Sequence, residues 1–197
     1  MAASRKERVT ASPSAQEAAI LAAAADEFTE VGVRRANMDE VAKAAGVSRS
    51  TLYRRFPSKD NLLVAVANDT FERGLARLEG AVRGLGPADA VVEAFATGAG
   101  MVTSDPLMRR IVFEDVEIRN ITSGAMSTLF IEMVTARVAS TLRDAGAIMP
   151  DEALFEAVEL HVRLVISLLE VPVTDPQKRS ADHVRHIAAT YLAPMIH

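Results

Sequence analysis

The chain has no cysteine and no tryptophan among its 197 residues. The absence of cysteine excludes disulfides, thiolate nucleophiles and metal sites built on thiolates, so nothing in the chain requires an oxidising compartment. Residues 1–17 lack the apolar segment of a secretory signal. The longest apolar stretches, such as residues 18–25, are much shorter than the roughly 18 to 20 residues that a membrane span needs. We therefore expect a cytoplasmic protein.

The sequence also lacks the signals of β structure, because no run alternates between apolar and polar residues and no Asn-Gly turn occurs. Hydrophobic residues make up 49% of the chain, which argues against global disorder and allows a buried core. Apolar residues recur instead at helical spacing, as at Ile20, Ala24, Phe28 and Val31. The pattern predicts an all-α fold of about nine helices.

Proline, glycine and capping residues predict where these helices begin and end. The first helix is predicted over Ala15 to Val31 and ends at Gly32, because glycine readily adopts the left-handed conformation that follows a helix. The later helices are predicted at about 59–83, after 86–87, after 105–106, and over 125–145, 150–170 and 175–194.

The segment NMDEVAKAAGVSRSTLYRRF contains two helix starts in close succession. Asn37 and Glu40 have the spacing of a capping box, and Ser48 follows the helix breaker Gly46. Pro57 ends the second of these helices. Two short helices joined by a turn containing glycine form a helix-turn-helix motif, whose second helix can enter the major groove of DNA.

Basic residues are concentrated around this motif. Residues 32–59 carry seven of them against only Asp39 and Glu40, whereas residues 61–197 carry 12 basic and 18 acidic residues. A basic run is most often a solvated face, and the asymmetry by itself is weak evidence. Together with the motif it is typical of a small module that contacts phosphates.

The residues NMDEVA followed by AGVSRSTLYRRFPSKDNLL resemble the DNA-binding domain of TetR-type transcriptional regulators. The resemblance covers residues 15 to about 64, and the all-helical remainder has the length and helix count of that family's ligand-binding and dimerisation domain. It implies a flexible N-terminal arm at 1–14, a helix-turn-helix domain at 15–60, and an effector-binding and dimerisation domain at 61–197.

The same resemblance implies which residues contact DNA. Base edges are approached by Arg49, Ser50 and Thr51, with Arg54 as a further candidate, which agrees with the preference of arginine for guanine. Tyr53 and Lys59 resemble the family's phosphate contacts. Two positions depart from the common pattern. Asn37, in place of Thr or Ser, can cap the helix and still donate to a phosphate. Arg55, in place of His, is expected to strengthen phosphate binding.

The remainder of the chain offers candidates for an effector site and for a subunit interface. The candidates for an effector pocket are aromatic, methionine and valine side chains, which either line a pocket or simply fill the core. They are Phe95, Met101, Phe113, Phe130, Met133 and Val134. The eighth predicted helix is apolar nearly all round, and with the ninth it suggests a dimer interface. The interface candidates are Leu154, Val158, His161, Val165, Val184, Ile187 and Tyr191. A core confined to one chain is the alternative.

Signatures of enzymes are missing from the sequence. It contains no nucleophile elbow and no Walker loop. His183 and His186 lie three residues apart on a predicted helix, where a packed or interfacial role is favoured over metal binding. We therefore expect no catalytic residues, no metal site and no cofactor.

The resulting hypothesis is a homodimeric, sequence-specific DNA-binding regulator. We expect a repressor that is released from a palindromic operator by a small, mostly apolar effector. Two alternatives remain open. The first is a DNA-binding regulator without a small-molecule effector. The second is a helical small-molecule binding protein or enzyme without operator recognition.

Overall fold

Helices account for most of the residues that the computed structural model describes, which are 12–109, 125–170, 173–175 and 177–197. The first four are α1 (Pro13–Val31), α2 (Met38–Ala44), α3 (Arg49–Arg55) and α4 (Lys59–Val82). They are followed by α5 (Pro87–Ser104), α6 (Pro106–Arg109), α7 (Ala125–Asp144) and α8 (Asp151–Glu170). The last is α9 (Ala181–Ile187), which continues as a π-helical turn, Ala188–Leu192, and a 3-10 turn, Ala193–Met195. No strand occurs within these ranges, so the all-α prediction is confirmed.

The helix α1 illustrates how local signals set an element. The Ser12 hydroxyl accepts a hydrogen bond from the backbone N–H of Ala15 at 3.2 Å, and Pro13 occupies the first turn, so the helix begins two residues before the predicted start. It ends as predicted at Gly32, whose φ is +81° and whose N–H donates to the Phe28 carbonyl at 3.1 Å.

The chain divides into two compact units between Asp69 and Thr70, within α4. The first unit packs α1, α2, α3 and the start of α4 around one apolar core. Its most deeply buried side chains are Ile20, Ala24, Phe28, Val41, Leu52, Leu62, Leu63 and Val66. The alternation of these residues with exposed ones fixes which face of each short helix is presented to solvent.

The second unit has its own hydrophobic core, to which α5, α7, α8 and the C-terminal segment contribute. Its buried members include Val82, Val91, Leu142, Met149, Leu154, Val158, Val162, Leu192 and Ile196. None of the helices in the described ranges is long and apolar enough to cross a membrane.

Ion pairs tie the helices of the second unit together. The guanidinium of Arg137 on α7 contacts the carboxylate of Glu79 on α4 at 2.6 Å and that of Glu72 at 2.5 Å. Arg185 on α9 contacts the carboxylate of Glu93 on α5 at 2.6 Å. Hydrogen bonding to these arginines lowers the pKa of Glu79 and of Glu93 below the ordinary glutamate value.

The C-terminal helix begins later than predicted. The expected start lay at residues 175–176, but Gln177–Arg179 form a single 3-10 turn and α9 begins at Ala181. The reason is the side chain of Ser180, which accepts a hydrogen bond from the His183 N–H at 3.3 Å and so caps the helix at that point.

Candidate nucleic-acid interface

The second helix of the helix-turn-helix motif, α3, is set by its cap and by two buried anchors. The Ser48 hydroxyl accepts a hydrogen bond from the Thr51 N–H at 3.1 Å and lies within 2.9 Å of the hydroxyls of both Ser50 and Thr51. Leu52 and the following Phe56 are buried in the core of the first unit. This anchoring leaves Arg49 and Tyr53, which are four residues apart, together on the exposed face of the helix.

Arg49 is held by two neighbours at the start of α3. Its Nε lies 2.7 Å from Oδ1 of Asp39 on α2, and its guanidinium carbon lies 5.8 Å from the centre of the Tyr53 ring. The side chain nevertheless remains 67% exposed. An arginine that is fixed in direction but open to solvent suits a reader of base edges, because less conformational entropy is lost when it binds.

Four of the eight predicted DNA-contact residues line a single open depression of about 430 Å³ in the first unit. They are Asn37, Arg49, Tyr53 and Lys59, and the remaining lining residues are Arg35, Ala36, Met38 and Asp39. Three of the eight lining side chains are cationic, so the depression favours an anionic partner. Sequence spacing alone does not predict this grouping, because Lys59 lies 22 residues beyond Asn37.

Lys59 is positioned by the turn that precedes α4. Its Nζ donates a hydrogen bond to the carbonyl of Arg34 at 2.9 Å. The hydroxyl of Ser58 accepts a hydrogen bond from the Asn61 N–H at 3.1 Å, in the manner of a helix cap. The ammonium group is therefore held at the N-terminus of α4, where the helix dipole also favours an anion.

The predicted capping box of Asn37 and Glu40 at α2 is wrong, because neither of its two bonds forms. Oδ1 of Asn37 does cap the helix, accepting from the Asp39 N–H at 2.9 Å. The N–H of Asn37 donates to Oε1 of Glu27 on α1 at 3.0 Å, while the Glu40 carboxylate contacts Lys43 at 3.4 Å. The Glu27 carboxylate of α1 thus takes the place that the capping box assigns to the Glu40 carboxylate. Because phosphate oxygens only accept hydrogen bonds and the backbone N–H of Asn37 is bound to Glu27, a phosphate contact by Asn37 has to come from its side-chain amide nitrogen.

Arg55 takes a different place from the one expected. Its Nη1 contacts Oε2 of Glu17 on α1 at 2.8 Å, and only 20% of its side chain is exposed. This arrangement ties α3 to α1 and gives no support to the expected phosphate contact, whereas Arg54 beside it is exposed. Ser50 is exposed and Thr51 is half-buried at the helix start.

Sequence reasoning missed the acidic partners of Arg49 and Arg55, which are Asp39 and Glu17, and it missed Glu27, which accepts from the Asn37 N–H. Only Asp39 gave a signal in the sequence, as one of two acidic residues in the basic segment 32–59. Sequence reasoning also missed Arg35, which lines the depression and donates from Nε to the Val31 carbonyl at 2.9 Å.

The predicted effector residues are spread over the second unit. Met101 is buried, Phe95 and Val134 are half-buried against the hydrophobic core, and Met133 is 49% exposed. Phe113 lies outside the described residues, and the side chain of Phe130 is likewise not described. The structure therefore brings Phe95 and Val134 to one core and leaves Met133 on the surface.

Three of the predicted interface residues are buried within their own chain. Leu154 is 2% exposed, Val158 is fully buried and His161 is 6% exposed, so these residues have almost no surface left to offer a second chain. Val165, Val184 and Ile187 are half-buried, and Tyr191 is 63% exposed. The exposed apolar stripe of α8 consists instead of Leu160, Leu164 and Leu168, which lie four residues apart.

His161 belongs to the interior of the second unit. Its ring packs edge-on against the Phe95 ring, with 6.0 Å between their centres. Burial lowers the pKa of His161 below its ordinary value, and a hydrogen bond to the backbone of Leu192 acts in the opposite direction. Burial is the larger influence, so the imidazole is neutral at neutral pH.

Comparison with known proteins gives consistent matches. Residues 20–66 match the sequence model of the family described as bacterial regulatory proteins, tetR family. The HTH-type transcriptional regulator UidR of Escherichia coli (strain K12) is 32% identical over 138 residues, which are 67% of this chain and 68% of that protein. The HTH-type transcriptional regulator RutR of the same strain is 36% identical over 80 residues, 41% of this chain and 38% of that protein.

Solved structures agree in fold over most of the chain. AlkX of Dietzia sp. strain DQ12-45-1b, a TetR family repressor implicated in biodegradation of n-alkanes, has a TM-score of 0.68 and 26% identity and covers 90% of this chain and 94% of its own. A TetR transcriptional regulator from Rhodococcus sp. RHA1 has a TM-score of 0.62 and 28% identity, and covers 91% of this chain and 98% of its own.

Proposed function

The chain belongs to the TetR family of bacterial regulatory proteins and is a DNA-binding transcriptional regulator rather than an enzyme, and from this premise we propose that it is a homodimeric repressor. The repressor releases a palindromic operator when a small, mostly apolar effector binds to it. The observation that carries the proposal is the depression that groups Asn37, Arg49, Tyr53 and Lys59 beside the capped start of α3. As a regulator of bacterial DNA, it would act in the cytoplasm.

In this proposal the DNA contacts divide by function. Arg49, Ser50 and Thr51 at the start of α3 read base edges, with Arg54 as a further reader, because the N-terminal residues of a recognition helix lie closest to the groove floor. Lys59, Tyr53 and the amide nitrogen of Asn37 contact phosphates and set the register. The exposure of Arg49 supports its assignment, and the pairing of Arg55 with Glu17 argues for a structural role instead.

The same proposal assigns a different function to each of the two domains. Residues 15–60 bind DNA and residues 61–197 bind the effector and dimerise. Two compact units with separate hydrophobic cores support this division, because each core can hold its own helices in place. The contacts divide the chain after Asp69, within α4, so this helix belongs to both units.

Dimerisation is supported by the exposed apolar stripe of α8. Leu160, Leu164 and Leu168 are 53%, 37% and 43% exposed, and Tyr191 near the C-terminus is 63% exposed. A row of leucines open to water is unfavourable in a lone chain, and a two-fold partner would bury it. Two copies of the α8 and C-terminal helices would then form a four-helix bundle.

The switch follows from the spacing of two half-sites. A two-fold dimer must present its two recognition helices about one turn of DNA apart, or a multiple of it. An effector weakens operator binding only to the extent that it binds better to a dimer with a different spacing. The apolar core of the second unit supports an apolar effector, and so does the relation to AlkX, since n-alkanes are apolar.

The test is a selection of the purified protein against random duplex DNA, followed by titration of the enriched sequence over a salt series. We expect an inverted repeat whose affinity falls steeply with salt, because phosphate contacts release counterions. A folded protein that enriches no sequence would contradict operator recognition. A single, non-repeated site would contradict the two-fold dimer.

A further inference from the structure

Among the buried polar side chains of the second unit, two have an atom without a hydrogen-bond partner in the described residues. Thr135 on α7 is fully buried, and His161 on α8 is 6% exposed. Within the part of the chain that the structure describes, neither the Thr135 hydroxyl nor Nε2 of His161 has a hydrogen-bond partner. Buried polar groups are nearly always paired, so two such atoms in one core call for an explanation.

The helix bounds place Thr135 and His161 at a similar level of two neighbouring helices. The helices α7 and α8 are consecutive and joined by residues 145–150, so they run antiparallel. Thr135 lies nine residues before the end of α7, and His161 lies ten residues after the start of α8. Both belong to core-facing stripes, which continue with Leu142 on α7 and with Leu154 and Val158 on α8. The register therefore assigns both residues to the same layer of the core.

Thr135 differs from other helical threonines of this chain. Thr141, on the same helix, donates its hydroxyl to the carbonyl of Arg137 at 3.0 Å, and Thr29 donates to Ala25 at 2.8 Å. This bond to the carbonyl four residues earlier is the usual way for a helical threonine to satisfy its hydroxyl. Thr135 makes no such bond, so its hydroxyl remains available in the interior.

The hydrogen-bonding state of His161 follows from its one backbone contact. The ring is neutral. Its hydrogen bond to the backbone of Leu192 raises the pKa of the imidazole, which is the effect of a carbonyl that accepts from a ring N–H. Because Nε2 has no hydrogen-bond partner among the described residues, the donor to Leu192 is Nδ1. A neutral imidazole carries one N–H, and Nε2 is therefore a hydrogen-bond acceptor.

An acceptor and a hydroxyl in one layer match a ligand hydroxyl, which can donate to Nε2 and accept from Thr135 with a single oxygen atom. We propose that Thr135 and His161 are the polar anchor of the effector site, and that the effector is a small, mainly apolar molecule with one hydroxyl group, either an alcohol or a phenol. Phe95, whose ring lies edge-on to His161, and the half-buried Val134 contact its apolar body. This inference rests on the proposed function in assuming that the second unit binds an effector.

The test uses probes that differ only by a methyl group in place of the hydroxyl group. The pairs are phenol with toluene, 2-naphthol with 2-methylnaphthalene, and cyclohexanol with methylcyclohexane, so that the phenol and alcohol arms are separate. Binding to the full chain is measured by ligand-dependent shifts in Tm. In at least one pair we expect the hydroxylated member to bind roughly ten-fold tighter, since it satisfies two buried groups that its partner leaves unpaired.

Three variants assign this preference to its residues. T135V and H161F each remove the preference and retain binding of the methyl partner. T141V is the matched control, because its hydroxyl already bonds within the helix, and it keeps the preference. Without ligand, T135V has a Tm equal to or above that of the unsubstituted protein, because no hydrogen bond is lost.

The proposal is overturned if no pair shows the preference, or if the preference survives in T135V. It is also overturned if T135V lowers the Tm as much as T141V does, because Thr135 would then have a structural partner. Operator release is measured separately on the selected DNA. If the protein binds its operator but shows no preference for hydroxylated probes, the polar anchor is contradicted and the proposed DNA-binding function stands. If it prefers hydroxylated probes but these do not release the operator, the anchor is supported and the effector-controlled switch is contradicted.

Discussion

Arg49 and Lys59 lie in one depression but are predicted to contribute to DNA binding in different ways. Arg49→Ala removes a base-reading group, so we expect it to relax preference for the selected operator by about 1–3 kcal/mol at the base pair concerned. Lys59→Ala removes a phosphate contact, so we expect weaker binding to all sequences and a salt slope reduced by roughly 1. Both are measured by titration of the operator and of its single-base variants across salt.

The comparison between these two variants checks the assigned roles. A Lys59→Ala protein with altered base preference and unchanged overall affinity would show that the roles are wrong. Circular dichroism of both variants is needed beside the titration, because Lys59 also donates to the Arg34 carbonyl.

Asp39 is predicted to position Arg49 while repelling DNA by its own charge. Asp39→Asn should therefore reduce discrimination between operator and unrelated DNA by two- to five-fold, in line with the roughly 0.2–1 kcal/mol of an exposed ion pair. The same change should raise affinity for unrelated DNA, because one negative charge is removed near the phosphates. Competition titrations on both DNAs measure the two effects together.

Glu40→Gln is the matched control for this change. Glu40 is the neighbouring acidic residue, it pairs with Lys43, and its removal takes away the same charge without touching Arg49. We expect Glu40→Gln to raise affinity for unrelated DNA and to keep discrimination. Equal loss of discrimination in both variants would mean that Asp39 acts only through its charge.

At the scale of elements, the start of α3 depends on one hydroxyl. Ser48→Ala removes the cap that accepts from the Thr51 N–H, so we expect a loss of about 1 kcal/mol in stability and a larger loss in operator affinity, because Ser50 and Thr51 lose their ordered start. Thermal unfolding and operator titration measure the two losses.

Ser12→Ala provides the control for this prediction, since Ser12 caps α1 through the Ala15 N–H and does not line the depression. It should lower stability and leave operator affinity nearly unchanged. A Ser48→Ala protein with the stability of the original would show that the cap seen here contributes nothing.

Most elements followed from local signals, and the exceptions have local causes as well. Gly32 and Ser48 mark helix boundaries through backbone conformation and capping, which involve only neighbours in sequence. The predicted start of the C-terminal helix was wrong because a second local signal competed. Ser180, for example, delays α9 although Asp175 offers an earlier start by accepting from the Gln177 N–H.

At the scale of the whole molecule, the stripe of leucines on α8 predicts a dimer. Leu164→Glu places a charge in the middle of that stripe, so we expect a dimer to dissociate, with the mass in solution halved. Operator affinity should fall at least ten-fold, because a monomer reads one half-site. Light scattering coupled to size exclusion, and titration of the operator, are the measurements.

Ile148→Glu is the control, because Ile148 is an apolar side chain that is 85% exposed in the connection between α7 and α8, away from the stripe. It should leave both mass and affinity unchanged. A Leu164→Glu protein that remains dimeric and binds its operator normally would contradict the proposed interface.

The sequence by itself determined the all-helical class and the helix-turn-helix, because helical periodicity, caps and breakers act over three or four residues. Only the tertiary structure decided which groups meet across helices. Glu17 lies 38 residues from Arg55 and Glu27 lies ten from Asn37, so no local spacing predicts these pairs. For the same reason His161, predicted at an interface, is buried in the core. Periodicity gives the apolar face of a helix, but the packing of the other helices decides what covers that face.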